Sequence, residues 1–464
     1  MDQPLGSFGN NSSVMAVTTE ELGTKDIKSL LLKQAVPASV GILFMTVNIL
    51  IDTIFVGQWI GPLAIAALAV VTPVMFLVAS LGLAVGVGGS SVISRALGSD
   101  DQEKACTAFA HQIMLTFLLS VTVAVICFLF AEDVLTIFGA KGKIMEPAKI
   151  FLFPIVIAAP LQAFCAMSNS VVRAEGKARF AMISVIIASV ANIILDIFFI
   201  KIFGWGILGA ALATAFSFLM SFLFIAWFFF FRSDLKPKLK HFVPEAAIIK
   251  EISALSFTTF SRQGVITILS ALLNNTLFEH GGERSVTIYG IISRMLMFAL
   301  FPVNGITEGF LPVAGYNYGA DKFSRVRKSI IISIKYAAFL AILIYTSILI
   351  FAPQIIAAFT DDPAVLKEAP NALRWVFAAS PVIAVQLIGA AYFQAAGNAV
   401  KALLLTLTKQ GFFLIPLILI LPGYFGIFGV WVSFPIADIM ATLVTGIFLS
   451  KEMTTKLKKA DGNI

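Results

Sequence analysis

Two acid–amide pairs stand out in a chain with few charges. Asp52 lies in TVNILIDTIFVG with Asn48 four residues before it, and Asp196 lies in SVANIILDIFFI with Asn192 four residues before it. Positions i and i+4 share a helix face, so each pair points an amide and a carboxylate the same way. Thr214 follows Gly206, Gly209, Ala210 and Ala213, small residues at a spacing that lets helices approach closely. Carboxylate, amide and hydroxyl oxygens together suit a hard cation such as sodium, not a soft metal. Two adjacent carboxylates can instead hold a proton, because like charges resist ionising together. The bland alternative is that each polar group is an interhelical hydrogen-bond partner with no ion, and that reading is preferred for the isolated Asn169. An acid inside an apolar span is costly in lipid and is a functional candidate by default, which favours function for Asp52 and Asp196.

The elements that carry these residues must be membrane helices. Hydrophobic residues fill 59% of 464 positions and charged ones 13%, well below the roughly 25% of a soluble domain. Stretches such as Ile113 to Phe130 and Ala338 to Ile350 carry no charge at all. The pattern predicts an all-α integral membrane protein of about twelve spans. They fall at 30–57, 62–92, 105–130, 148–172, 179–203 and 206–231, then at 250–278, 286–313, 329–352, 370–396, 401–421 and 425–449. A polar N-terminal tail takes residues 1–28, one six-helix bundle 29–231, a linker with Pro237 and Pro244 232–249, a second bundle 250–450, and a basic tail 451–464. No basic n-region with a short apolar core opens the chain, so the tail is expected to stay uncleaved.

The formal charge of +7 sits mainly in short loops, which reads as a topology signal rather than a nucleic-acid surface. One side collects Arg95, Lys104, Arg173, Lys177, Arg179, the linker, Lys322, Arg325, Arg327, Lys328, Lys401 and the C-terminal lysines. The positive-inside rule makes that side cytoplasmic and places both termini there. The halves also repeat: Gly98 corresponds to Gly319, Gly176 to Gly397 and Gly206 to Gly426, in register within one residue. Each half has an even number of spans, so the repeat is parallel, with a two-fold axis along the membrane normal and a cleft between bundles.

Other groups divide less sharply. Gln263, Glu308 and Asp438 either face the cleft or pack locally. Arg262, Arg294 and Lys335 snorkel or pair, and Lys409 is placed to pair with Asp438. Prolines such as Pro37 and Pro302 are candidate kinks, whether bending in function or static. Three histidines and three cysteines without CxxC spacing ask for neither zinc nor a disulfide. No HExxH or comparable constellation appears, so no enzyme is expected; nor is there a filter-like motif of a channel.

The residues resemble the multidrug and toxic compound extrusion (MATE) family over nearly the whole chain. The carriers are NILIDTIFVGQWIGPLAIAALAVVTPV, GVGGSSVISRALGSDDQEKA, VRAEGKARFAM, NIILDIFFI, GILGAALATAFS and PVAGYNYGADKFSRVRKS. PVAGYNYGA is similar to the branch of DinF-like and MepA-like prokaryotic exporters. The resemblance implies two facing six-helix bundles in the inner membrane, alternating access, and export of cationic or amphipathic compounds in exchange for sodium or protons. It carries a cation site onto Asp52, Asn192, Asp196 and Thr214 and a bending proline onto Pro37. A monomer is expected, with the bilayer and small molecules as partners, no nucleic acid, and no cofactor beyond the coupling ion. Relatives of the NorM branch place an acid in the seventh span; SFTTFSRQGVITIL has none, which leaves a second-bundle cation site without that support. The alternative function is a lipid-linked saccharide flippase of the same broader superfamily, for which a more cationic cavity and extra spans are expected.

Overall fold

The computed structural model describes residues 19–459; the first 18 residues of the expected tail and residues 460–464 lie outside the described residues. Among the described residues eleven helices are long and apolar enough to cross a membrane, and one of them, Ala246–Gly319, has 74 residues. At about 1.5 Å per residue a straight helix of that length would far exceed a hydrocarbon core of roughly 30 Å. It turns back at Gly282, where φ is 64° and ψ −166°, so it is two spans and the total is twelve. In chain order these are α1 (Ile27–Trp59), α2 (Pro62–Gly98), α3 (Gln102–Leu129), α4 (Met145–Ala174), α5 (Ala178–Ile202), α6 (Gly206–Phe231), α7 (246–281), α8 (283–319), α9 (Phe323–Ala357), α10 (Pro363–Ala395), α11 (Ala399–Phe425) and α12 (Ile427–Lys459).

The backbone itself records the repeat. Residues with positive φ recur in pairs at matching turns: Gly61 and Gly282, Asp100 and Asp321, Gly176 and Gly397, Gly206 and Gly426. Glycine enters this region freely and aspartate is among the few other residues that do, so equivalent turns in each half kept equivalent residues. Gly61 closes the α1–α2 turn, which explains why its counterpart Gly282 reverses the chain between α7 and α8.

The bundles meet through the same contact made twice. A Cβ on Gly98 would lie 2.0 Å from the Tyr316 carbonyl oxygen, and a Cβ on Gly319 would lie 2.0 Å from that of Arg95. Arg95 and Tyr316 are themselves equivalent positions, so α2 and α8 cross about the two-fold axis with only glycine able to fill the crossing.

The helix boundaries differ from those read in sequence at both ends. Asp26 caps α1 by accepting the N–H groups of Lys28 and Ser29, so the first span begins at Ile27, inside the stretch assigned to the tail. The residues just before it are docked: Asn317 donates to the Leu22 carbonyl at 2.9 Å and Arg325 to that of Lys25 at 2.7 Å. At the other end α12 runs on into the basic tail and buries Leu457. The linker is also tied down. The buried Glu175 accepts from the Ser233 hydroxyl at 2.5 Å and the Asp234 N–H at 3.0 Å, and pairs with Lys177 at 2.9 Å. Burial pushes its carboxyl above the ordinary range, against the opposing pull of Lys177 and these two donors.

Candidate functional site

The first bundle gathers its polar residues where α1, α5 and α6 meet. Asn48 Nδ2 donates to Asn192 Oδ1 at 3.1 Å, Asn192 Nδ2 donates to Thr214 Oγ1 at 3.4 Å, and the Thr214 hydroxyl donates to the Ala210 carbonyl at 3.1 Å. One turn further toward the α1–α2 end, the carboxyl groups of Asp52 and Asp196 meet side chain to side chain. Asp196 is fully buried and Asn192 nearly so. Among the described residues no donor reaches Asp52 Oδ1 or either carboxylate oxygen of Asp196.

Local sequence explains the convergence. A Cβ on Gly209 would lie 2.9 Å from the backbone of Phe199, and Ala210, Ala211 and Ala213 are fully buried, so α6 packs backbone to backbone on α5 and brings Thr214 to Asn192. Directly after Asp196 the helix widens into a π segment, Ile197–Ile202, a distortion that recurs at functional positions. Aromatic rings cover its outer end: Phe199 stacks on Trp205 with centroids 5.1 Å apart, Phe55 on Trp59 at 4.1 Å, and Lys201 Nζ lies 5.4 Å from the Trp59 ring. Buried oxygens with spare lone pairs and no protein cation form a cage suited to one hard cation or one shared proton.

The remaining candidates lie elsewhere. Glu308 of α8 is paired with Arg173 of α4 at 3.0 Å. Gln263, partly buried on α7, makes no side-chain hydrogen bond to the described residues, and neither it nor Glu308 joins the α1–α5–α6 cluster. Pro37 is buried in a helix that continues through it, about 22 Å along α1 from Asp52. It sits where α1 packs on α8, between Ala35 and Ser39, whose backbones crowd Gly309 and Gly305. Lys409 and Asp438 do pair, at 2.6 Å.

Sequence reading missed a closure built from residues taken as topology signals. Arg95 of α2 donates to Glu251 of α7 at 2.6 Å and to the Ala395 carbonyl at 2.8 Å, Ser91 donates to the Gln394 carbonyl at 2.5 Å, and Arg173 reaches Glu308. Among the described residues every hydrogen bond and ion pair between the bundles lies at the basic-loop end. A polar pocket lined by Ser90, Ser91, Ser94, Arg173 and Glu308 forms the floor above it. The bundles are tied together on the side of the basic loops.

Two pseudo-symmetric helical bundles around a cleft closed at one end are the build of a secondary transporter. The MatE family model matches residues 37–198 and 263–420, one segment in each bundle and together more than half of the chain, and the chain belongs to the MatE family. It is similar to the multidrug export protein MepA of Staphylococcus saprophyticus, 27% identical over 413 residues that span 88% of this chain and 90% of that one. MepA of Staphylococcus aureus is 26% identical over 412 residues, with the same coverage of 88% and 90%. Among solved structures, MATE in complex with MaD3S superposes with a TM-score of 0.90 at 28% identity, covering 96% of this chain and 100% of that one. An outward-facing multidrug resistance MATE transporter superposes at 0.89 with 28% identity, covering 96% and 99%.

Proposed function

We propose that this transporter exports small cationic or amphipathic compounds, drugs among them, by alternating access, in exchange for sodium ions or protons that enter from outside. The multidrug export relatives support the cargo class, and the positive-inside distribution supports an inner-membrane protein with both termini cytoplasmic. It works as a monomer, since each chain holds both bundles and the cleft between them.

The observation that carries the coupling step is the buried contact of Asp52 with Asp196, which no cationic side chain reaches among the described residues. Two carboxylates cannot stay charged side by side in a low dielectric without a compensating positive charge. Arrival of a sodium ion or proton neutralises the pair and favours the arrangement of α1, α5 and α6 from which cargo leaves; its departure reverses the bias. One elementary charge moving down 100 mV supplies about 2.3 kcal/mol, enough to sustain a useful gradient of a cationic drug.

The test is dye efflux from proteoliposomes under imposed sodium or pH gradients. Asp52→Asn and Asp196→Asn proteins should insert and bind dye yet lose gradient-driven efflux. Normal efflux by both variants would overturn the coupling role.

A further inference from the structure

Two of the three histidines hold the linker against α3. His111 of α3 is almost fully buried and lies between two backbone groups. Its Nδ1 is 2.6 Å from the Thr107 carbonyl, and the Glu245 N–H donates to its Nε2 at 2.9 Å. A carbonyl only accepts and an N–H only donates, so Nδ1 carries the proton and Nε2 is bare. His241, in the linker itself, is set the other way round. The Lys238 N–H donates to its Nδ1 at 2.8 Å, and its Nε2 faces Glu103 of α3 at 3.2 Å. Both arrangements need a neutral ring, because a second ring proton removes the acceptor.

The two rings differ in what an added proton would meet. A charged His241 keeps Glu103, which also pairs with Lys240 at 2.5 Å, so the loss is confined to one turn of the linker. His111 has no acid in reach: among the described residues its polar contacts are the backbones of Thr107 and Glu245. The start of α7, with its free N–H groups, also disfavours a cation beside it. A charged His111 is therefore a buried cation without a partner, relieved only when Glu245 moves away and water enters. That same start of α7 belongs to the closure. Glu251 pairs with Arg95, Ile248, Ile252 and Leu255 pack in one core with Val92 and Phe109 of the first bundle, and a Cβ on Gly88 would lie 2.7 Å from the Ser256 nitrogen. The equivalent segment before α1 is held instead by groups that do not titrate near neutrality. Asn317, Lys322 and Arg325 donate to the carbonyls of Leu22, Gly23 and Lys25, and the repeat places Ile332 where His111 stands.

We propose that His111 is a proton-operated release for the closure on the basic-loop side. A proton from that side binds Nε2, the Glu245 N–H loses its acceptor, and the first turns of α7 come away from α3, so that the bundles part there. Imidazole is the side chain that ordinarily changes charge between about pH 5 and 8; the tie holds above that range and fails as the pH falls through it. The device is separate from the Asp52–Asp196 pair, and its effect on transport rests on the alternating-access reading above.

The experiment uses the full chain in proteoliposomes, with a spin label attached at Val243→Cys before the pH is changed equally on both faces. Val243 is an exposed linker position, and the native cysteines are buried. Between about pH 8 and 5 the mobile fraction of the label should rise about tenfold or more, the change expected when one buried donor loses its partner. His111→Gln offers a neutral amide oxygen in place of Nε2 and should hold the label still throughout. Asp52, Asp196 and Glu175 are intact in that variant, so their titration cannot imitate the difference. His111→Phe deletes the acceptor and should leave the label mobile throughout. Paired labels at Arg179→Cys and Ser324→Cys, exposed near the basic loops of the first and second bundles, should move apart wherever the Val243 label is released. A label that stays still at low pH with His111 present, a pH response that survives in His111→Gln, or release without widening of the pair overturns the role of His111. Widening of the pair under an imposed cargo gradient would then leave alternating access standing, and a pair that keeps its distance under every condition overturns both.

Discussion

The two bundles share a backbone plan and differ in how they balance a buried acid. In the first, Asp196 near the end of α5 faces Asp52, and among the described residues no cationic side chain reaches either. In the second, Asp438 of α12 is equally buried but lies 2.6 Å from the Lys409 ammonium on α11. Each half also carries a π segment in its fifth span, at Ile197–Ile202 and Thr408–Leu414, though not at equivalent positions. Lys409 is a counter-ion on a tether: it neutralises Asp438 permanently and cannot be exchanged. On the coupling reading proposed above, the first bundle takes its positive charge from outside, and such a charge is one that a gradient can supply and remove. The repeat does not extend to these acids: the positions equivalent to Asp52 and Asp196 are Leu273 and Leu417, so the bundles differ in where they keep an acid as well as in whether a lysine meets it.

The sharpest way to break this comparison is to give the first bundle its own lysine. Asp196→Lys should bring an ammonium against Asp52, leave the protein inserted, and abolish gradient-driven efflux, because the site no longer needs an ion; dye flux under sodium and pH gradients reads the loss. The converse is to take the tethered charge away. Lys409→Met leaves Asp438 buried and unpaired and should destabilise the second bundle by about 3–5 kcal/mol, measured by denaturant unfolding in detergent. The double variant Lys409→Met with Asp438→Leu should recover most of that loss, as replacement of a whole buried pair by apolar groups usually does. A single variant as stable as wild type would show that water reaches Asp438 and that the bundles are less different than they look.

A smaller effect is expected at the closure. Glu251→Gln removes the partner of Arg95, but the Glu251 side chain is 34% exposed, so solvent screens the pair and its worth is of order 1 kcal/mol. That amount shifts the balance between closed and open floor by about fivefold. It should appear as faster labelling of Ser90→Cys from the basic-loop side, and unchanged labelling would mean that packing at Gly98 and Gly319 holds the floor without the ion pair.

Much of this architecture was legible in the sequence because it rests on local rules. Hydropathy located the spans, and the glycine landmarks disclosed the two-fold since each sits at a turn or crossing that no side chain fits. The i, i+4 spacing put Asn48 with Asp52 and Asn192 with Asp196, and the Lys409–Asp438 pairing was anticipated from two charges in adjacent spans. Which faces meet was not legible, because it depends on how closely α6 approaches α5 at Gly209. The pairing of Arg95 with Glu251 and Arg173 with Glu308 was hidden for a similar reason. Counting charge at helix ends identifies a side of the membrane, but it does not distinguish a loop cation in water from one that reaches across a bundle interface 156 or 135 residues away.

The smallest expected effect also separates the two coupling ions. The Thr214 hydroxyl donates to the Ala210 carbonyl and accepts from Asn192, which leaves one lone pair of its oxygen for a cation. Thr214→Ala deletes that ligand without touching either carboxylate. With sodium as the coupling ion, one of several oxygen ligands is lost, and the sodium concentration for half-maximal efflux should rise by up to about tenfold, the equivalent of roughly 1.4 kcal/mol. With a proton, the charge resides on Asp52 and Asp196 alone, and the pH dependence of efflux should be unchanged. A loss as deep as that of Asp196→Asn under both gradients would show instead that Thr214 holds α5 and α6 together, and the oxygen cage would shrink to the two acids and Asn192.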